Sequence, residues 1–131
     1  MLIQRTLRVA AGVAAVLLSA VAPASLRAGS YSQTNLVSDI PGLAAITDPN
    51  LVDPWGVSFS ATSPFWISDN HTNVSTLYTG TPTITPLVVA VPGGPTGQVN
   101  NSNTSAFILG NNKAANFIFD TQAGTILAWN G

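Results

Sequence analysis

Asp69, Asn70 and His71 place a carboxylate, an amide and an imidazole side by side at the end of an apolar stretch. Such a set could act as an acid–base pair or bind a divalent cation. The alternative is a turn, in which Asp69 ends a strand and accepts hydrogen bonds from the backbone amides that follow. Asp120 aligns with Asp69 in a second copy of the segment, where Gln122 replaces His71. A position that is repeated between copies favours a structural role, so we expect the turn and assign no catalytic residue.

The composition of the chain excludes several kinds of site. The sequence has no cysteine and one histidine, so neither a thiolate site nor a histidine-rich zinc site can be assembled within it. Beyond residue 24, Arg27 and Lys113 stand against five aspartates, which gives a net charge of −3. Nucleic-acid binding requires clustered lysine and arginine, and we therefore expect no nucleic-acid partner.

The beginning of the chain has the pattern of a secretory signal peptide. Arg5 and Arg8 supply positive charge, and residues 9–22 are almost wholly apolar or small. This run is shorter than the ~20 residues that a transmembrane helix needs, so we expect a helical leader over 1–24, export to the periplasm, cell surface or medium, and no transmembrane segment after cleavage. The cleavage positions that fit are after Ala24, which we favour, and after Ala22 or Ala28.

The remainder of the sequence predicts an all-β fold. Charged residues make up only 7% of the chain, and polarity comes from Thr, Ser, Asn and Gly, a composition that favours strands and turns over helices. We expect one strand in a lead-in segment (25–52), four in a first unit (53–94), and an incomplete second unit (95–131). The predicted strands lie at 31–38, 55–59, 65–68, 74–78 and 84–91, with an additional one at 107–109 inside an insertion.

Four short strands within about 40 residues are typical of a β-propeller blade. The second unit repeats the first, with Pro54-Trp55-Gly56 matching Pro95-Thr96-Gly97 at an offset of 41 residues. Farther along, the matched positions at an offset of 51 residues are Trp66/Phe117, Ile67/Ile118, Asp69/Asp120, Tyr78/Trp129 and Gly80/Gly131. The sequence therefore predicts a partial propeller of about one and three-quarter four-stranded blades. Its open faces indicate either a fragment of a longer chain, which we favour, or a protein that self-associates.

These segments resemble a family of uncharacterised secreted bacterial proteins related to six-bladed propellers of the NHL type. The residues that carry the resemblance are 35–39, 48–52, 53–59, 65–70, 95–99, 117–119 and 124–130. Members of that family are about three times longer, and some carry a sorting tail of the PEP type. The resemblance implies a propeller fold, an exported protein and a chain that is an N-terminal fragment. It implies no particular activity.

Asp53 is the best metal-ligand candidate if the propeller is complete. It precedes an innermost strand, and propeller enzymes of the gluconolactonase type hold calcium with carboxylates near the central channel. The alternative, which we favour, is an Asx-type turn before Pro54. We therefore expect no cofactor, with calcium as the alternative if the propeller is complete. Three tryptophans (Trp55, Trp66 and Trp129) and Tyr78 could likewise form a sugar platform, but their strand positions favour packing between blades.

The function expected from the sequence is that of an exported β-propeller module, used for binding or for structure outside the cytoplasm, with no enzymatic activity assigned. One alternative is a fragment of a calcium-dependent, lactonase-like propeller hydrolase. A second is a truncated product without an independent function. The sequence identifies no ligand, substrate or partner.

Overall fold

The computed structural model describes residues 30–81 and 83–131, and in this part of the chain every regular element is a β-strand. The all-β prediction is thus confirmed there, whereas the predicted signal peptide over 1–24 lies outside the described residues. No helix in the described ranges is long and apolar enough to cross a membrane. The strands are β1 (Val37–Ser38), β2 (Ile46–Thr47), β3 (Pro54–Ser58), β4 (Phe65–Asp69), β5 (Val74–Tyr78), β6 (Val89–Ala90), β7 (Pro95–Asn100), β8 (Phe117–Thr121) and β9 (Ile126–Trp129).

Sheet 1 is a two-stranded parallel pair, β1 with β2, in the lead-in segment. The single long strand predicted over 31–38 is wrong in extent, because only its last two residues pair. Their partner, β2, was not predicted at all. It is brought alongside by a loop in which Asn35 Nδ2 donates to the Leu43 carbonyl at 3.1 Å and Gly42 adopts a φ of +80°, a conformation that glycine reaches without strain.

Sheet 2 is antiparallel with the order β3-β4-β5-β6, and sheet 3 has the order β7-β8-β9. Three predicted strands of sheet 2 lie where expected, but the strand predicted over 84–91 shrinks to Val89–Ala90 plus one isolated bridge from Tyr78 to Ile84. Pro86 lies between these two pieces and has no backbone N–H to donate to a neighbouring strand.

The strand predicted at 107–109 is absent from the structure of this segment, which has only an isolated bridge between Ile108 and Ala114. Phe107 has a φ of 53°, outside the extended region. Two backbone hydrogen bonds close the loop, from the Ala115 N–H to the Phe107 carbonyl and from the Leu109 N–H to the Lys113 carbonyl, both at 2.8 Å. Asn101 adds to them, because its Nδ2 lies 3.1 Å from the Ala106 carbonyl and 3.0 Å from the Ala115 carbonyl.

Each of sheets 2 and 3 has two faces, because alternate side chains of a strand point to opposite sides. The front face of sheet 2 lies against the rear face of sheet 3. The cross-strand registers define the front face of sheet 2 as Ser58, Trp66, Ser68, Ser75, Leu77 and Val89, and the rear face of sheet 3 as Gln98, Phe117, Phe119, Leu127 and Trp129.

The buried core of the molecule lies between these two faces. The ring of Trp66 stacks on that of Phe117, with centroids 4.0 Å apart and an interplanar angle of 21°. Trp129 approaches the same indole at 5.0 Å, and Phe119, 1% exposed, completes the contact. Burial of large aromatic side chains supplies the main driving force for joining two sheets.

The two sheets approach most closely at β3 and β7. A Cβ on Gly56 would lie 2.7 Å from the backbone oxygen of Thr96, so only glycine fits there. Beside it, Gln98 Nε2 donates to the carbonyls of Gly56, at 3.2 Å, and of Trp66, and Ser75 Oγ lies 3.3 Å from Gln98 Oε1. A single glutamine thus connects β7 to three strands of sheet 2.

The two copies of the repeated segment lie in sheets 2 and 3. The sequence alignment differs from the strand registers by one residue at β4 and β8, whereas its pair Tyr78/Trp129 agrees with them. Pro54 pairs with Asp69 across a bulge, and Pro95 pairs with Thr121 in the same way. The structural counterpart of Asp69 is therefore Thr121, not Asp120. Trp66 and Phe117, which the alignment treated as equivalents, instead stack face to face.

We predict that Gly56→Ala destabilises the protein by about 1–3 kcal/mol, because the added methyl group must displace the β7 backbone. Gly110→Ala is the matched control, since nothing lies within 4 Å of its added Cβ, and we expect a change within about 0.5 kcal/mol. Urea unfolding followed by tryptophan fluorescence measures both. Equal stability of the two variants would contradict the close approach of the sheets.

Candidate functional site

The rear face of sheet 2 is covered in part by the lead-in segment, and a pocket of about 350 Å³ lies between them. We call it the rear pocket. Its lining is almost entirely apolar and consists of Leu36, Val37, Leu51, Pro54, Val57, Phe65, Ile67, Tyr78, Thr79 and Gly80. A concave apolar surface of this size is the usual form of a small binding site.

Tyr78 is the one ionisable side chain in the wall of the rear pocket, and it is 7% exposed. Its hydroxyl donates to Asp48 Oδ2 at 2.8 Å, while Asp48 Oδ1 accepts from the backbone N–H of Asn50 at 2.9 Å. Burial, assisted by the negative charge of Asp48, raises the pKa of the phenol, so Tyr78 stays protonated and donating. This bond ties the lead-in to β5.

Asp69 lies on the same face and is completely buried. Its Oδ2 accepts two hydrogen bonds from Thr76, from the backbone N–H at 3.1 Å and from the hydroxyl at 2.7 Å. Among the described residues, its Oδ1 has no partner. The expected turn is wrong in its detail, because the carboxylate reaches across the β4–β5 hairpin instead of bonding the amides that follow it. Loss of hydration in this site exceeds what Thr76 returns and raises the pKa of Asp69 to about 7.

The three adjacent residues that could have formed a catalytic set point to different places. While Asp69 is buried on the rear face of sheet 2, Asn70 Nδ2 donates to the Pro95 carbonyl at 3.2 Å and so contacts sheet 3. His71 is exposed in the turn before β5. The geometry therefore does not bring the imidazole and the carboxylate together as an acid–base pair.

Asp53, the calcium-ligand candidate, is exposed and has a φ of 55°. Its backbone carbonyl accepts from the Asn70 N–H at 3.1 Å. The contact between Asp53 and Asn70 is therefore made by the backbone of Asp53. The carboxylate, which would accept the hydrogen bond in an Asx turn, does not make it. Within residues 30–81 and 83–131, no group of three or more His, Cys, Asp or Glu side chains is placed to hold a metal ion.

The aromatic side chains divide between two roles. Trp66 and Trp129 pack between sheets 2 and 3, as expected. Trp55 does not, since 55% of its surface is exposed, and Tyr78 serves the contact with the lead-in. These four side chains do not form one platform.

The hydrogen bond between Asp48 and Tyr78, beside the rear pocket, was not predicted from the sequence. Asp48 looked like an ordinary turn aspartate before Pro49, and Tyr78 like a packing residue. Thirty positions separate them, and no periodicity in the sequence relates a turn to a strand at that distance.

No known protein-family model, curated protein or solved structure matches this chain significantly.

We predict that Asp69 makes the protein lose stability as the pH rises. Below its unfolded pKa of 3.8 both states hold the proton. Between about 4 and 7 only the folded state does, so the unfolding free energy falls, by at most ~1.4 kcal/mol per pH unit. Above 7 both states are ionised, and the contribution of Asp69 becomes constant.

Chemical denaturation at a series of pH values measures this effect. Asp69→Asn, which keeps an acceptor for Thr76 but cannot ionise, should remove the decline. Asp53→Asn is the matched control, because it changes an exposed carboxylate, and it should leave the decline intact. If Asp69→Asn kept the same slope between pH 4 and 7, the buried carboxylate would not be its cause.

Proposed function

We propose that this chain is part of an exported β-propeller, in which sheets 2 and 3 are neighbouring blades and whose role is structural or in binding outside the cytoplasm. The proposal joins the leader pattern over residues 1–24 to the way in which the two sheets stack.

The observation that carries the proposal is that equivalent faces of the two sheets point in the same direction. The front face of sheet 2 covers the rear face of sheet 3, not its front face. Phe65 and Phe117 are equivalent by strand register, as are Tyr78 and Trp129, and in both sheets these residues lie on the rear face. A stack of this kind can continue by repetition, which is how propellers and other repeat architectures bury their faces.

The geometry of the candidate groups supports the structural or binding role that we propose. Asp69 is buried against Thr76, His71 and Asp53 are exposed, and Asn70 donates an inter-sheet hydrogen bond. Catalysis requires convergent side chains within hydrogen-bond reach of one reacting atom. Among the described candidates, Asp69 instead bonds Thr76 across a hairpin and Asn70 joins the two sheets.

We predict that the chain is processed after Ala24, so that the exported product begins at Ser25. Intact mass measurement and N-terminal sequencing of the protein recovered outside the cytoplasm test this. Ala24→Lys should block processing at this bond, because signal peptidase needs a small residue there. Ala28→Lys, at the third candidate position, is the matched control and should leave processing unchanged. Recovery of the uncleaved chain from the cytoplasm would overturn the export part of the proposal.

A further inference from the structure

The loop between β7 and β8 (101–116) contains an apolar run. Ala106, Phe107, Ile108 and Leu109 follow one another in the sequence, and two of them are strongly exposed, Phe107 by 60% and Ile108 by 53%. The corresponding loop between β3 and β4 (59–64) is much shorter. Soluble proteins avoid neighbouring exposed apolar residues in loops unless these serve an interaction.

Hydrogen bonds fix the position of this surface. Besides the two backbone bonds that close the loop, Asn111 and Asn130 exchange side-chain hydrogen bonds, each amide donating to the oxygen of the other at 3.0 Å. Phe107 has a φ of 53°, a conformation that is costly for an aromatic residue and persists only where the surroundings impose it. The loop therefore presents Phe107 and Ile108 in a preformed arrangement, which lowers the entropic cost of binding.

The loop leaves the sheets at the end where β3 and β7 finish. Ser58, the last residue of β3, pairs with Trp66, and Asn100, the last residue of β7, pairs with Phe117. Because the rings of Trp66 and Phe117 stack on each other, the loops 59–64 and 101–116 emerge at the same end of the two sheets. We call it the loop end. The exposure of the apolar run therefore does not arise from an uncovered sheet face.

Charge is divided between the two ends of the sheets. Asp53, Asp69 and Asp120 lie at the opposite end, where β3 and β7 begin and β4 and β8 finish, and the two other aspartates belong to the lead-in. Lys113, which is exposed, is the one lysine or arginine among the described residues and lies in the loop itself. The loop end thus combines an apolar surface with a positive charge, as proteins that bind anionic lipid surfaces do.

The polar side chains of the loop favour a lipid over a carbohydrate as the partner. Carbohydrate recognition needs polar groups that are free to fix the orientation of the ligand. The amides of Asn101, Asn111 and Asn130 already donate within the protein. Next to Phe107 the sequence places the aliphatic Ile108 instead of a hydrogen-bonding residue.

We propose that the loop 101–116 attaches the protein to an anionic lipid surface, with Phe107 and Ile108 in the interfacial region of the bilayer and Lys113 beside the lipid phosphates. Two apolar side chains and one lysine give a weak and reversible attachment, because burial and electrostatic attraction each contribute little. The inference goes beyond the proposed role outside the cytoplasm by naming the surface that is bound. It does not depend on the stacking of blades.

Co-sedimentation with vesicles of equal parts phosphatidylglycerol and phosphatidylcholine tests the proposal. The exported protein is used after N-terminal sequencing confirms the loss of residues 1–24, because an uncleaved apolar leader would itself bind lipid. Phe107→Asn, chosen because asparagine tolerates a positive φ, and Ile108→Thr should each lower the partition constant about tenfold. Ile126→Thr is the matched control, since it makes the same change in a side chain that is 67% exposed at the opposite end, and it should bind as the wild type does.

Lys113→Gln tests the electrostatic part of the proposal. It should lower the partition constant for the mixed vesicles about fivefold and leave binding to phosphatidylcholine alone unchanged. Urea unfolding of each variant shows that it is folded.

A fluorescent label identifies the part of the protein that meets the lipid. The chain has no cysteine, so Gly110→Cys, at a position with nothing within 4 Å of an added Cβ, gives a single site for an environment-sensitive fluorophore. Its emission should shift to the blue when vesicles are added, whereas a label at Ile126→Cys should not respond.

The proposal is overturned by a wild type that binds neither kind of vesicle, or by binding that Phe107→Asn and Ile108→Thr leave unchanged. A blue shift at position 126 instead of 110 would overturn it as well. These results leave the stacking of the sheets and the export of the chain untouched, since Gly56→Ala and N-terminal sequencing test those separately.

Discussion

The stack of Trp66 on Phe117 is the contact on which the described structure depends. The two rings are 4.0 Å apart at their centroids, and the other core side chains pack around them. Neither sheet 2, with four strands, nor sheet 3, with three, can bury an apolar face alone, because a sheet must pack against another layer to remove that face from water. Their union creates one core, and the glycine at position 56 is required because that union brings β3 against the β7 backbone.

The rear side of sheet 2 shows the cost of filling the same kind of face with polar groups. Where sheet 3 presents Trp129, sheet 2 presents Tyr78, and its hydroxyl needs Asp48 as an acceptor. Asp69 is buried with one unpartnered oxygen among the described residues, and its pKa rises to about 7 as a consequence. The lead-in therefore depends on specific hydrogen bonds, whereas the contact between the sheets depends on aromatic packing. We therefore expect pH to affect the rear side of sheet 2 more than the aromatic contact between the sheets.

Much of the fold could be predicted from the sequence, because alternating apolar residues and Gly/Pro turns are local signals. They located β3, β4 and β5 within a residue or two. The short parallel pair β1–β2 could not be found, since its register depends on a loop held by Asn35.

The alignment of Asp69 with Asp120 also failed. Identical residue types in an alignment do not reveal that the two hairpins differ in loop length. The last pair before the loop is Asp69–Val74 in β4–β5 and Asp120–Ile126 in β8–β9, so the second loop is one residue longer. The complete burial of Asp69 likewise follows from tertiary packing, which no local pattern encodes.

A double-mutant cycle on Trp66 and Phe117 tests the central claim most directly. Unfolding free energies are measured for Trp66→Leu, Phe117→Leu, the double variant and the wild type. If the rings stack as described, the two losses are not additive, and we expect a coupling energy of about 0.5–1.5 kcal/mol. Strict additivity, with a coupling energy near zero, would mean that the two side chains do not touch, and the account of sheets 2 and 3 as a single stacked unit would be wrong.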